Sequence, residues 1–364
     1  MTLRRDELRQ SIEITIGVVA LLLAALGPVV FSTYWISFIL TQVFFLGIAA
    51  ASLIFLSAYG GMVSLAQVSI YGIAGFVLGN VVTNGNTKGL NLGWNPWLGV
   101  LLGIVIATAI GFVFGALANR SAGIYFLMIT LTYAVIANLF FGQVATFSGF
   151  GGISGITAPG VVGSVQDHPN RLYYISLVAA LLVYLAIKCI LRTPFGLTLQ
   201  GVRDEPVRMA SLGYNVPLHR TMAFGFGAFI ASLAGVLFVW WNGHIDPASI
   251  DIGSAIDLLV IAVIGGLYRL EGAWIGAFAF VVIQNYVRTD NLPVVGGTFH
   301  TLIGAIFLVI ILVSPGGLMG IWSWAVGHGS RLFPAPAAAP TPVAAAVAPA
   351  DAGARSTRPE GPAK

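Results

Sequence analysis

Leu191–Leu237 reads LRTPFGLTLQGVRDEPVRMASLGYNVPLHRTMAFGFGAFIASLAGVL. Arg192, Arg203, Asp204, Glu205, Arg208, His219 and Arg220 crowd its first thirty positions, in a chain with only 8% charged residues. So dense a group of charges belongs in water. The runs on either side, Leu172–Ile190 and Met222–Trp241, carry almost no charge and are about as long as a helix needs to cross a hydrocarbon core of roughly 30 Å. The segment is therefore a polar loop between two membrane spans, and its length marks it as a place for a partner to hold.

Outward from that loop the same pattern recurs. The chain has 364 residues, 57% of them hydrophobic, and a mean hydropathy of +0.92. A soluble domain carries about a quarter charged residues. The expected fold is an all-α polytopic transmembrane helical bundle of about ten spans, some of them broken or half helices. A membrane barrel would instead show alternating strands of about ten residues. The ten expected spans are Ile14–Val30, Ile36–Ala58, Leu65–Thr83, Leu98–Ala118, Ala122–Phe141, Leu172–Ile190, Met222–Trp241, Ser254–Leu267, Ala273–Val287 and Phe299–Val313. Ser254–Leu267 is short enough to be a half-helix. The first run has a charged start like a secretory signal, but it is long and no small-x-small cleavage site follows directly.

Residues 1–13 form a basic N-terminal arm, 14–324 the membrane domain and 325–364 an Ala/Pro-rich tail whose composition predicts disorder. Arg4, Arg5, Arg9, Arg120, Arg192, Arg203, Arg208, Arg220 and Arg269 all fall on one side of a ten-span topology, with Lys88 and Arg288 as exceptions. Cytoplasmic loops carry the excess of Lys and Arg, so both termini are expected in the cytoplasm. The net charge of +4 reflects these loops and not a nucleic-acid surface. The single cysteine, Cys189, allows no disulfide within the chain.

Two segments match each other: SAYGGMVSL at 57–65 and AVIGGLYRL at 262–270. Each follows an apolar run and leads into another, and each places two glycines together, Gly60–Gly61 and Gly265–Gly266. Glycine adopts backbone angles that other residues resist, so both pairs are natural helix breaks, and transporters often line their path with broken helices from internal repeats. Polar residues gather near them: Ser57, Ser64, Gln67 and Ser69 at the first pair, Ser254, Asp257 and Glu271 at the second. Gln42, Thr130, Thr132, Asn138, Gln284 and Asn285 lie in other spans. A single Ser or Thr in a span more often bonds a neighbouring helix; Gln67 and Asp257, beside the breaks, are candidates for a polar path. In FGGISGI, Phe150–Ile156, Gly151 and Gly152 beside Ser154 read either as backbone N–H groups at an opening helix, suited to a carboxylate or carbonyl, or as a plain turn.

No P-loop GxxxxGK[ST] occurs, so the chain does not itself bind ATP in that way. HExxH, GxSxG and the TVGYG filter are absent, and the five histidines, at 168, 219, 244, 300 and 328, have no metal-binding spacing. Nothing points to an enzyme.

Four blocks carry a family resemblance over roughly residues 35–320: SAYGGMVSLAQVSIYGIAGF, FGGISGI, TPFGLTLQGVRDEPVRMASLGYNVPLHRTMAFGFGAFIASLAGVLF and IDLLVIAVIGGLYRLEGAWIGA. The chain resembles the permease subunits of bacterial ABC importers for branched-chain amino acids, of the LivM type, with urea and amide permeases close by. It departs from the family pattern at Ala66–Gln67 and at Tyr268, where glycine is expected. The resemblance implies a multi-pass protein of the bacterial inner membrane. Its expected partners are a second, homologous permease, two ABC ATPase subunits and an external solute-binding protein. No cofactor is expected on this chain; ATP–Mg belongs to the ATPases.

The resemblance also makes the opening stretch a coupling loop. Asp204–Leu212 reads as one short helix, with Pro206 in its first turn, acidic residues at its start and Gly213 at its end. Arg203, Asp204, Glu205, Arg208, Met209, Leu212 and Gly213 are the expected ATPase contacts. Gly60, Gly61, Ser64, Gln67, Gly151, Gly152, Ser154, Asp257, Gly265 and Gly266 are the expected translocation path. The alternative from another class is a stand-alone ion-coupled carrier, or a substrate-gated channel for small solutes such as urea or amides.

Overall fold

The computed structural model describes residues 27–30, 32–84, 89–121, 123–160, 162–163 and 169–289, with isolated positions at 304–305, 308 and 317–320. The N-terminal arm, most of the expected first span, nearly all of the expected tenth, Lys88, the Arg288 side chain and the Ala/Pro-rich tail lie outside the described residues.

Short polar caps start four of the described α-helices, at Asn95, Thr193, Asn215 and Asp251. Helix α1, Trp35–Tyr59, is π-helical at both ends, Trp35–Leu40 and Phe55–Tyr59. Helix α2 is Gln67–Val82. Helix α3, Pro96–Ala118, opens with the Asn95 side chain accepting from Trp97 N at 3.0 Å and Pro96 in its first turn, the arrangement that satisfies a helix N-terminus. Helix α4 is Ile124–Gln143 and α5 Pro169–Arg192. Two short helices follow, α6, Pro194–Asp204, and α7, Pro206–Ser211. Helix α8, Val216–Asn242, is capped by Asn215 and closed by Gly243 at φ +65°, a left-handed stop. Helix α9, Ile252–Gly265, is capped by Asp251, which accepts from Ser254 N at 2.7 Å. Helix α10 is Gly272–Thr289.

Among the described residues, five helices, α1, α3, α4, α5 and α8, are long and apolar enough to cross a membrane; α2, α9 and α10 are apolar but shorter. At 1.5 Å per residue, the sixteen residues of α2 reach only about 24 Å. Even so, α2 is the best-buried helix: every residue except Val77 is buried. A helix apolar on all sides belongs inside a bundle, and α2 lies against α1, α3 and α8.

Small residues allow this packing, as is usual between membrane helices. A β-carbon on Gly235 of α8 would lie 2.0 Å from the Tyr71 carbonyl of α2, and one on Gly111 of α3 would lie 2.2 Å from the Ala228 side chain. The buried face of α3 consists of Gly99, Gly103, Ala107, Gly111, Gly115 and Ala118. Its large side chains Leu101, Val105, Val113 and Leu117 point away from the bundle, while the Phe112 ring lies against Gly225 of α8.

The sequence expectation of long apolar helices holds, and most ends move by a few residues. The opening stretch needs correction. It is not one polar loop around a single helix Asp204–Leu212: α6 already runs from Pro194 to Asp204, the backbone breaks at Glu205, and α8 begins at Val216, six residues before the expected Met222. Thr193 and Asn215 each cap a helix whose first turn holds a proline, signals that the count of charges hid. FGGISGI does not open a helix either. Ile153–Ser154 forms a strand, β1, paired antiparallel with β2, His244–Ile245, and Gly152, at φ +68°, presses against the Ile245 carbonyl.

Candidate functional site

The helices alternate in direction, so their connections collect at two ends. Asn119 Nδ2 donates to Thr221 Oγ1, Lys188 pairs with Glu271 and Arg203 reaches Ala58, so the helix ends that carry Arg120, Arg192, Arg203, Arg220 and Arg269 lie on the side of α6 and α7. The β1–β2 ribbon marks the other end.

At the α6 end, α1 stops in the π-helical turn Phe55–Tyr59, and Gly60–Gly61 lead out of it. Gly61 has φ +66°, and the Arg203 side chain of α6 lies directly over it. Arg203 Nη1 donates to the Ala58 carbonyl, while its Nε donates to Asp204 Oδ1 at 2.7 Å. A cation is favourable at a helix C-terminus, where carbonyls lack partners. The same hydrogen bond holds the Asp204 carboxyl below its ordinary pKa.

The second glycine pair lies beside the first. Gly265 ends α9 and Gly266, at φ +116°, turns the chain. Ser57 Oγ donates to the Leu267 carbonyl at 3.3 Å, a direct link between the two breaks. Next to it Glu271 accepts from Lys188 at 2.8 Å and from the Tyr184 hydroxyl at 2.9 Å, tying the α9–α10 turn to α5. Partial burial alone would raise the pKa of Glu271; the hydrogen bond and charge of Lys188, with the Tyr184 hydroxyl, outweigh it and hold the carboxyl below the ordinary glutamate value. A lowered pKa means that the pair stabilises the fold fully above that value, about pH 4.3, and is lost as pH falls through the folded value. Glu271→Gln is therefore expected to melt lower than wild type at neutral pH and to lose less on acidification; melting curves of purified protein across pH 3 to 7 check this, at about unit spacing.

Between the two ends, a cavity of about 190 Å³ lies among α1, α2, α8, α9 and α10. Gln42, Tyr71, Ser249, Ser254, Asp257 and Gln284 line it together with apolar side chains such as Phe45 and Phe280. Gln42 Nε2 donates to Gln284 Oε1 at 3.2 Å. The cavity thus gathers polar groups from distant parts of the sequence, as a polar solute within a membrane requires. The first turn of α2, whose Val68 lines the cavity, is anchored just before its start by Thr130 Oγ1, which accepts from Leu65 N at 3.2 Å, and by Ser64 Oγ, which accepts from Ala66 N at 3.3 Å. Gln67 follows, fully buried, with neither atom of its amide hydrogen-bonded.

At the ribbon end, Ser154 Oγ and His244 Nδ1 share a hydrogen bond at 2.9 Å, and Asn138 Nδ2 donates to the Pro247 carbonyl at 2.6 Å. No group of three or more His, Cys, Asp or Glu able to hold a metal occurs among the described residues.

The family of the branched-chain amino acid transport system permease component matches residues 35–313. The chain belongs to this family. Among relatives, LivM of Salmonella typhimurium, a high-affinity branched-chain amino acid transport system permease protein, is 26% identical over 247 residues, 61% of this chain and 57% of LivM. The chain thus spans less than two thirds of that relative's length. The probable LivM of Methanocaldococcus jannaschii is 25% identical over 297 residues, 75% of this chain and 84% of the relative. LivH of Escherichia coli is 25% identical over 276 residues, 71% of this chain and 86% of LivH. No solved structure matches the chain.

In this permease-family chain, a multi-pass membrane protein, the expected path residues divide. Gly60, Gly61, Ser64, Gln67, Gly265 and Gly266 come together around the α6 end. Asp257 lies apart from them in the cavity wall, and Gly151, Gly152 and Ser154 lie at the ribbon. Sequence reasoning noted Gln42 and Gln284 only as scattered; their 242-residue separation leaves no local signal. The expected ATPase contacts divide as well. Arg203 faces α1, and Met209 packs back against Gly201 of α6. Arg208, Leu212 and Gly213 point outward, and so does Val207, 78% exposed. Val207 was not expected, and its place one residue before Arg208 on a single-turn helix is the signal that would have found it.

Proposed function

We propose that the chain is the membrane-spanning permease subunit of an ABC importer, and that it forms the path for branched-chain amino acids or similar small polar solutes. The observation that carries this reading is the α6–α7 unit: α7 buries none of its residues within the chain, while Arg203, just before it, holds the end of α1. An exposed helix with Val207 and Leu212 outward and Arg208 between them fits the groove of a partner. The absence of a P-loop in the sequence supports a separate ATPase, with ATP–Mg bound there. In this reading the α6–α7 end and both termini face the cytoplasm, the membrane is the bacterial inner membrane, and the ribbon end meets an external solute-binding protein. The names LivM and LivH support a homologous second permease beside this one.

The test is uptake of labelled leucine, urea and aromatic amino acids by proteoliposomes containing the reconstituted complex. ATP-dependent leucine uptake, insensitive to ionophores, is expected. Uptake by this chain alone, driven by an ion gradient, would show a stand-alone carrier instead.

A further inference from the structure

Gln67 is the residue among those described that leaves both polar atoms of a carboxamide buried and without a hydrogen-bond partner. Its exposure is 0%. Such a group is unfavourable, and an apolar side chain of similar size would suit the same packing better. The neighbouring hydroxyls are committed elsewhere: Ser69 Oγ donates to the Ala66 carbonyl at 2.7 Å and Thr130 Oγ1 donates to the Leu127 carbonyl at 2.9 Å.

Gln67 also opens α2, a helix of sixteen residues whose N-terminus has no side-chain cap. A helix start presents N–H groups and partial positive charge. The buried carboxamide and the uncapped turn together make a donor-rich spot inside the bundle.

What covers this spot is specific. A β-carbon built on Gly227 of α8 would have as its nearest neighbours the Leu56 side chain, at 3.2 Å, and Gln67 Nε2, at 3.6 Å. Leu56 belongs to the π-helical turn Phe55–Tyr59. π-Helical turns are rare and recur at functional positions; relaxing one to α-helical spacing rotates its side chains around the helix. Arg203 of α6 holds this turn through the Ala58 carbonyl.

We propose that Gln67 and the first turn of α2 form a binding site for the carboxylate of an amino-acid solute, closed by Leu56 in this conformation and opened when α6 draws on the end of α1. Gln67 Nε2 and the helix N–H groups donate to the carboxylate, and Gln67 Oε1 accepts from the solute's ammonium. The site rests on the reading of the chain as an amino-acid permease and adds a recognition point beside the cavity, at the α2 turn whose Val68 lines it.

The test uses the full reconstituted complex, with labelled leucine as the probe. Gln67→Leu is expected to raise the melting temperature of the complex, because it removes an unpartnered polar group, and to lower ATP-driven leucine uptake about tenfold or more, the factor that corresponds to about 1.4 kcal/mol. Gln67→Asn, which keeps the amide, is expected to retain part of the uptake, with a raised KM. Unchanged uptake by Gln67→Leu overturns the proposal. So does a lowered melting temperature with uptake falling in proportion, because that marks Gln67 as a structural residue. A wild-type complex that shows no ATP-driven leucine uptake overturns the permease reading itself, and the site with it.

Discussion

Arg203→Ala is expected to abolish ATP-driven uptake while the ATPase subunits stay bound, and Arg208→Glu to release the ATPases. The two arginines are five residues apart and read alike in the sequence, as two charges of one coupling loop. In the structure Arg203 faces α1 and Arg208 faces outward. Arg203 lies against Gly61, donates to the Ala58 carbonyl and is held in line by Asp204. A hydrogen bond from a charged donor contributes about 1.5–3 kcal/mol, and this one joins α6 to the end of α1. Without it, motion of α6–α7 has no direct hold on the first glycine break. Arg208 lies on the outward side of α7, a helix with no buried residue whose Met209 packs against Gly201. A glutamate there leaves the fold alone and reverses a charge on the face offered to a partner. Pull-down of the ATPases with tagged permease, beside proteoliposome uptake, separates the two effects. Arg203→Ala is expected to retain the ATPases and lose uptake at least about tenfold. If it loses the ATPases as fully as Arg208→Glu does, Arg203 belongs to the docking face and the hold on α1 is incidental.

This division shows where the sequence was readable. Apolar runs near twenty residues gave the long helices because the hydrocarbon core dictates both length and composition. The glycine pairs were legible as breaks because positive backbone angles at Gly61 and Gly266 suit glycine. The choice of neighbour was not. Arg203 and Arg208 differ in which way α6 and α7 face after the turn at Glu205, and Arg203 meets the end of α1, more than a hundred residues earlier. The cavity was hidden for the same reason. Gln42, Asp257 and Gln284 meet only because α1, α9 and α10 pack side by side, and no local period records such a meeting. FGGISGI misled because glycines beside a serine serve a helix start and a strand bend equally well; the pairing of Ile153 with Ile245 decides between them.

The first glycines of the two pairs, which look equivalent in the sequence repeat, are expected to respond oppositely to alanine. Gly60→Ala is expected to be tolerated: an added β-carbon would meet only the end of the flexible Met62 side chain, at 3.1 Å. Its counterpart Gly265 has no such room. A β-carbon there would lie 1.9 Å from the Gly272 carbonyl oxygen, which is backbone and cannot swing aside. Gly276 presses on the same turn, 2.1 Å from the Ile261 carbonyl by the same measure. Overpacking of a tight core costs about 1–3 kcal/mol and more where the backbone must move. Gly265→Ala therefore separates α9 from α10, and the folded protein is expected to be largely lost. At the second position of each pair the backbone angle decides. Gly61→Ala forces a side chain into the left-handed region, at about 1–2 kcal/mol, and displaces Arg203; Gly266→Ala meets φ +116°, where only glycine sits without strain. Detergent-solubilised variants run on size exclusion give the order directly: a monodisperse peak near wild-type height for Gly60→Ala, a reduced one for Gly61→Ala, and aggregate for Gly265→Ala. Equal yields for Gly60→Ala and Gly265→Ala would mean that the α9–α10 turn is looser than its backbone contacts require, and that the second break moves as freely as the first.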